Sequence, residues 1–99
     1  MSANQPRRRL VGIDLQGSEE AEAIVGAVVA LHPDAAVRRS PGLLRIELPD
    51  RLEIRRELVE ERLRREWDTQ ELNLSIVSFF GEIEEWDEDR IIIAWKHLT

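Results

Sequence analysis

Apolar and polar positions alternate across Arg9–Gln16: Leu10, Val11, Ile13 and Leu15 are set among Asp14 and Gln16, which predicts a first strand. Gly17-Ser18 turns the chain, and Ser18 is a good helix N-cap. Glu19, Glu20 and Glu22 suit the positive end of a helix dipole, and Ala21, Ile24, Val25, Val28 and Leu31 recur at three- and four-residue spacing as one apolar face. Pro33 stops that helix, and His32 before it is expected to favour the negative helix end as a cation. Val37–Ser40 and Leu43–Leu48 predict a hairpin around Pro41-Gly42, and Pro49-Asp50 turns into a short strand at Arg51–Ile54, with Leu52 and Ile54 on one face. A second helix is predicted over Arg56–Arg65, striped by Leu58, Val59 and Leu63, with Trp67 extending the stripe. Its exposed side offers the pairs Glu60–Arg64 and Glu61–Arg65. Asp68 is placed to cap a one-turn helix through Leu72, and strands follow at Asn73–Phe80, Glu82–Trp86 and Arg90–Trp95.

This order, β-α-β-β-β-α-(α)-β-β-β, predicts an α+β class: a single compact domain of antiparallel hairpin-rich sheets packed with two main helices and one short helix. With 99 residues, the chain has room for one modest core. The expected divisions are a short flexible arm at 1–8, one domain at 9–96 and a tail at 97–99 that includes His97. No secretory signal is expected, since Met1–Pro6 is short and polar, and no apolar run is long enough for a membrane span. Cysteine is absent, which excludes disulfides and thiol chemistry and fits a reducing cytoplasm.

Charge narrows the choice of partner. Residues 1–50 carry six basic and seven acidic side chains, and residues 51–99 carry eight and thirteen, for a net −6. The basic residues are mostly interleaved with acids and form no stripe, which argues against nucleic-acid binding. Catalytic constellations are also missing: there is no Gly-x-Ser-x-Gly elbow, no paired histidines at helical spacing and no glycine-rich phosphate cradle. Glu82–Asp89 places six acids in eight residues, but Trp86 interrupts them and the central glycine of a calcium loop is lacking. The run is instead a solvated hairpin guarding Ile91-Ile92-Ile93-Ala94-Trp95, whose lack of alternation predicts a strand covered on both faces or lying in an interface.

The segment Ile76-Val77-Ser78-Phe79-Phe80-Gly81-Glu82-Ile83 is the most informative. Strict alternation places Val77 and Phe79 on one face and Ile76, Ser78 and Phe80 on the other. One core covers only one of these faces. Either the strand is central and sandwiched, or one face is kept for a partner, with Phe80 expected inside and Phe79 outside. Gly81 is the relief point for a bulge or close backbone approach, so a side chain there is expected to do more damage than one at Gly12.

These stretches resemble a known family. Pro41-Gly42-Leu43-Leu44-Arg45-Ile46-Glu47, Leu52-Glu53-Ile54-Arg55-Arg56-Glu57, Trp67-Asp68-Thr69-Gln70-Glu71-Leu72, Ser78-Phe79-Phe80-Gly81-Glu82-Ile83 and the closing Glu84–Asp89 hairpin are similar, in order and spacing, to the MmoB/DmpM family. These are the small coupling (effector, regulatory) proteins of bacterial multicomponent diiron monooxygenases. The chain departs from the family pattern at Arg64, where members often have the glycine that closes the second helix, and at Val77, where many carry a small or turn-favouring residue. Its short arm looks like those of the phenol, toluene, alkene or short-alkane systems rather than the methane ones.

The resemblance implies a non-catalytic protein without cofactor or metal. It would dock on the hydroxylase α-subunit over the diiron site and tune oxygen activation, substrate access and coupling of NADH oxidation to product. It would compete there with the reductase. The residues implied at the interface are Val77, Ser78, Phe79 and Gly81. Two other readings stay open at this stage: a small-ligand-sensing α+β domain, and a subunit-interface domain pairing through Arg90–Trp95.

Overall fold

The computed structural model describes residues 9–95, so the arm at 1–8 and the tail with His97 lie outside the described residues. Seven strands and three helices follow one another: β1 (Leu10–Gln16), α1 (Glu19–Leu31), β2 (Ala36–Ser40), β3 (Leu43–Pro49), β4 (Arg51–Arg55), α2 (Arg56–Leu63), α3 (Leu72–Ser75), β5 (Ile76–Phe80), β6 (Glu82–Trp86) and β7 (Arg90–Ala94). One 3-10 turn, Thr69–Glu71, precedes α3. The strands form two antiparallel sheets, ordered β2-β3-β1-β5 and β4-β7-β6. The expected α+β domain is thus what the chain forms.

The core follows from the alternation. In the larger sheet, Val11, Ile13 and Leu15 of β1 stand opposite Leu48, Ile46 and Leu44 of β3, and all six are buried on one face. The smaller sheet supplies Leu52 and Ile54 of β4 with Ile93 and Ile91 of β7. Helix α1 adds Ala21, Ile24, Val25 and Val28, and its N-terminus is capped as expected, with the Ala21 N–H donating to Ser18 Oγ at 3.0 Å. Trp67 is almost fully buried, its N–H donating to Glu60 Oε2 (2.9 Å) and its Nε1–H to Glu20 Oε2 (2.7 Å). Ser75 Oγ also donates to Glu20, so one carboxylate ties the start of α1 to α3.

Strand β7 is apolar on both faces because it is the middle strand of its sheet. Ile91 and Ile93 face the core, while Ile92 lies on the other face beneath Glu53 and its arginines. Both of its edges are therefore paired within the chain, which leaves no free edge for a dimer formed through Arg90–Trp95.

Several expectations are corrected. Helix α2 stops at Leu63 instead of Arg65, with Arg64 in the left-handed region at φ 58°. A non-glycine residue there costs about 1 kcal/mol. With the helix ended, the expected pairs Glu60–Arg64 and Glu61–Arg65 do not form: Glu60 turns to the Trp67 N–H and Arg65 reaches Glu71 at 3.5 Å. The strand predicted from Asn73 begins only at Ile76. Asp68 caps a reciprocal box with Glu71, and the helical turns it starts run on through Ser75.

His32 is not the expected cation. Its Nε2 accepts the Glu53 N–H at 3.1 Å, closing the open edge of β4, so the ring is neutral. Burial lowers its pKa against the opposing pull of Asp34 and Glu53, with Arg51 adding to the lowering. Because the folded pKa lies below the unfolded value near 6.5, the unfolded chain takes up the proton first. Stability is therefore retained above pH 6.5 and falls as pH drops below it. We expect the urea midpoint of the wild type to decline between about pH 7 and 5. His32→Gln, which keeps an acceptor but does not titrate, should flatten that decline; parallel curves for the two proteins would refute the assignment.

Candidate docking edge

Strand β5 pairs with β1 on one side only and is the margin of the four-stranded sheet, not a sandwiched central strand. The pairing also breaks the alternation expected from sequence. Gly12, Ile13 and Asp14 stand opposite Phe80, Phe79 and Ser78, but Leu15 stands opposite Ile76, so Val77 is an extra, unpaired residue. Ile76 consequently faces the core beside Leu15, and Val77 is pushed outward, 60% exposed.

Phe79 lies on the core side of the sheet, opposite Ile13, yet is 42% exposed because the core ends at the margin. Phe80 is the reverse of its expectation. It lies on the outer face, where a Cβ at Gly12 would collide with its ring and with the Ile46 carbonyl oxygen. Gly12 is therefore as constrained as Gly81, because the Phe80 ring uses the space that glycine leaves. Gly81 itself is partly buried at φ 114°, and a Cβ there would stand 2.9 Å from Ile93 and 3.0 Å from Val11. Its positive φ shapes the end of the strand.

The outer face of β5 is held by one polar cluster. Arg45 Nε and NH2 donate to the two carboxylate oxygens of Asp14 at 2.7 and 3.0 Å, and Ser78 Oγ donates to Asp14 Oδ2 at 2.7 Å. The Arg45 guanidinium stacks 5.3 Å from the centre of the Phe80 ring. Arg45 lowers the Asp14 pKa most; burial opposes it and Ser78 assists. Ser78 is thus exposed but already engaged.

The other sheet margins are guarded. Strand β2 carries Arg38 and Arg39, β4 carries Arg51 and Arg55 with His32 at its edge, and β6 carries Glu82, Glu84 and Glu85. Strand β5 has no charged residue and no proline, leaving only the bulge at Val77 to discourage pairing. Sequence reasoning missed two neighbours of this edge. Leu74 fell inside the overextended strand, and Ile83 was assigned to the solvated hairpin; they are 77% and 39% exposed.

Among the described residues no three His, Cys, Asp or Glu side chains converge to hold a metal ion. No helix among the described residues is long and apolar enough to cross a membrane. A cleft of about 430 Å³ at the start of α2 is lined by Arg55, Arg56, Glu57, Asp87, Asp89 and Arg90, a charged lining unlike the apolar pocket a small-ligand sensor needs.

Comparison with known proteins points the same way. The model of the MmoB/DmpM family matches residues 9–94. The chain is 42% identical over 88 residues to the phenol 2-monooxygenase stimulatory component DmpM of Pseudomonas sp. (strain CF600), a match covering 89% of this chain and 97% of that protein. It is similar to a chain in the structure of the phenol hydroxylase–regulatory protein complex, with a TM-score of 0.80 and 36% identity over 89% of this chain and all of that one. The soluble methane monooxygenase regulatory protein B shares the fold at a TM-score of 0.67 and 16% identity, over 97% of this chain and 73% of that one.

Removing Arg45 would leave Asp14 buried with Ser78 as its remaining side-chain donor. Arg45→Ala is expected to lower unfolding stability, because the buried Asp14 carboxylate loses its charged partner. Adding Asp14→Ala should recover part of that loss, because the uncompensated carboxylate goes with it. Urea titration of the two single variants and the double variant checks this; strictly additive losses would show that the pair is not coupled.

Proposed function

The chain belongs to the MmoB/DmpM family, and from that premise we propose that it is the cofactor-free regulatory component of a multicomponent diiron monooxygenase. It docks on the α-subunit of the hydroxylase, over the diiron site, and tunes oxygen activation, substrate access and the coupling of NADH oxidation to hydroxylation or epoxidation. It turns over no substrate itself, in keeping with relatives named as stimulatory or regulatory components. Phenol-type aromatic substrates are the class its relatives favour. The protein works in the cytoplasm.

The observation that supports this reading best is the unguarded margin at β5. A soluble acidic protein that charges its other sheet edges and leaves this one apolar has a use for it. Val77 and Phe79 supply the contact, Ser78 lies between them on the Asp14 cluster, and Gly81 sets the direction in which the strand leaves. The reductase competes for the same hydroxylase surface.

Stimulation of the cognate hydroxylase, measured with its reductase and NADH, tests the proposal. The wild type should raise product turnover. Phe79→Ala should need roughly thirtyfold more protein for half-maximal stimulation, the consequence of losing about 2 kcal/mol at an aromatic anchor. Its melting temperature should stay near wild type, since the ring is already half in solvent. Unchanged turnover with the wild type would refute the function, and an unimpaired Phe79→Ala would refute the site.

A further inference from the structure

Ile76 and Val77 lie between two serines, each tied to a carboxylate on another element. Ser78 Oγ donates to Asp14 Oδ2 at 2.7 Å, which fixes β5 to β1. Ser75 Oγ donates to Glu20 Oε1, which fixes the end of α3 to the first turn of α1. The other Glu20 oxygen accepts from the Trp67 indole. Past Ser78, the Phe80 ring fills the space that Gly12 leaves, and this holds the far end of β5 in register.

Within the span between the ties, two β-branched apolar side chains compete for one place beside Leu15. In the structure Ile76 holds it, and Val77 is the unpaired residue of the bulge, 60% exposed. A strand without the bulge keeps Ser78 opposite Asp14 and Phe79 opposite Ile13, but sets Val77 opposite Leu15 and Ile76 opposite Gln16. Alternation then turns Val77 inward and Ile76 outward. The side chains exchanged differ by one methylene, so packing alone chooses weakly between the registers.

Reach separates them more strongly. Straightening carries residue 76 one strand step, about 3.3 Å, further along β1. That movement opens the bond from the Ile76 N–H to the Leu72 carbonyl that closes α3, and it draws Ser75 away from Glu20. A helix of 4 residues resists little by itself. The Ser75–Glu20 hydrogen bond, made by a serine that is 5% exposed, is the main restraint.

We propose that β5 is a two-register strand, bulged with Ile76 inside or straight with Val77 inside, and that the Ser75–Glu20 hydrogen bond is the latch that keeps it bulged. The switch belongs to the chain alone and does not rest on the docking reading. It changes which of the two side chains the sheet margin shows and moves the end of α3, while the strand from Ser78 onward stays in place. Glu20 and Ser75 are thus positioning residues for the strand, acting from outside it.

Methyl NMR of the full chain, free in solution, tests this. In the wild type, nuclear Overhauser contacts from the Leu15 methyls should reach Ile76, and relaxation dispersion at residues 75–77 should report a minor state of roughly 1–10%. Ser75→Ala should raise that population several-fold. Exchanging the two side chains, Ile76→Val with Val77→Ile, conserves volume and should also raise it several-fold. The two changes combined should move the dominant Leu15 contact to residue 77. Val77→Asp places a charge that the core does not admit, so it should abolish the dispersion while the Leu15–Ile76 contact and the melting temperature stay near wild type. Dispersion that survives Val77→Asp would show fraying of the margin instead of register exchange and would overturn the proposal. A Leu15 contact that stays with residue 76 in the combined variant would overturn it equally.

Discussion

The apolar, exposed margin at β5 depends on the pairing of Ile13 with Phe79. Both side chains point to the same side of the same sheet, yet Ile13 is fully buried and Phe79 is not. The difference is position. Strand β1 lies between β3 and β5, over the apolar face of α1, whereas β5 has a neighbour on one side only. A chain of this size has one core, and that core ends before it reaches the margin. A large aromatic on the core side of the last strand therefore projects past the edge of the dry interior.

The same economy explains the two uncovered faces. Each sheet has one face on the core and one in solvent, and each solvent face is built around a single buried carboxylate. On the larger sheet it is Asp14, gripped by Arg45 and Ser78. On the smaller it is Glu53, which accepts from Arg55 at 2.8 Å and Arg51 at 3.1 Å, with Arg90 at 3.7 Å. Burial pushes the Glu53 pKa up, but Arg55 and Arg51 outweigh it and leave it lowered. Ile92, paired with Glu53 on this face, is buried, while the three arginine side chains keep much of their surface in water. These clusters fix the backs of the sheets and leave β5 as the apolar exception.

Much of this was legible in the sequence. Ser18 capped the first helix, Pro41-Gly42 turned the hairpin and the unbroken Ile91–Ala94 run marked a strand covered on both faces, because each signal is local and unopposed. The bulge at Val77 was not legible. It depends on how β5 meets β1, and a single extra residue reverses which side Ile76 takes relative to Phe80. His32 was misjudged for a similar reason: the helix dipole argued for a cation, but the Glu53 N–H brought in from β4 needed an acceptor. Arg64 showed the opposite case, since a helix can end on a non-glycine residue when the following chain must turn toward Trp67.

In the proposed complex, β5 and its flanks are the surface covered by the hydroxylase. Amide hydrogen exchange of the protein alone and in the presence of its hydroxylase measures this directly. Slowed exchange across residues 74–83, with the Arg38–Arg39 margin of β2 unchanged, is the expected result. Protection confined to β2 or to the charged face of the smaller sheet, with residues 74–83 exchanging as freely as before, would contradict it.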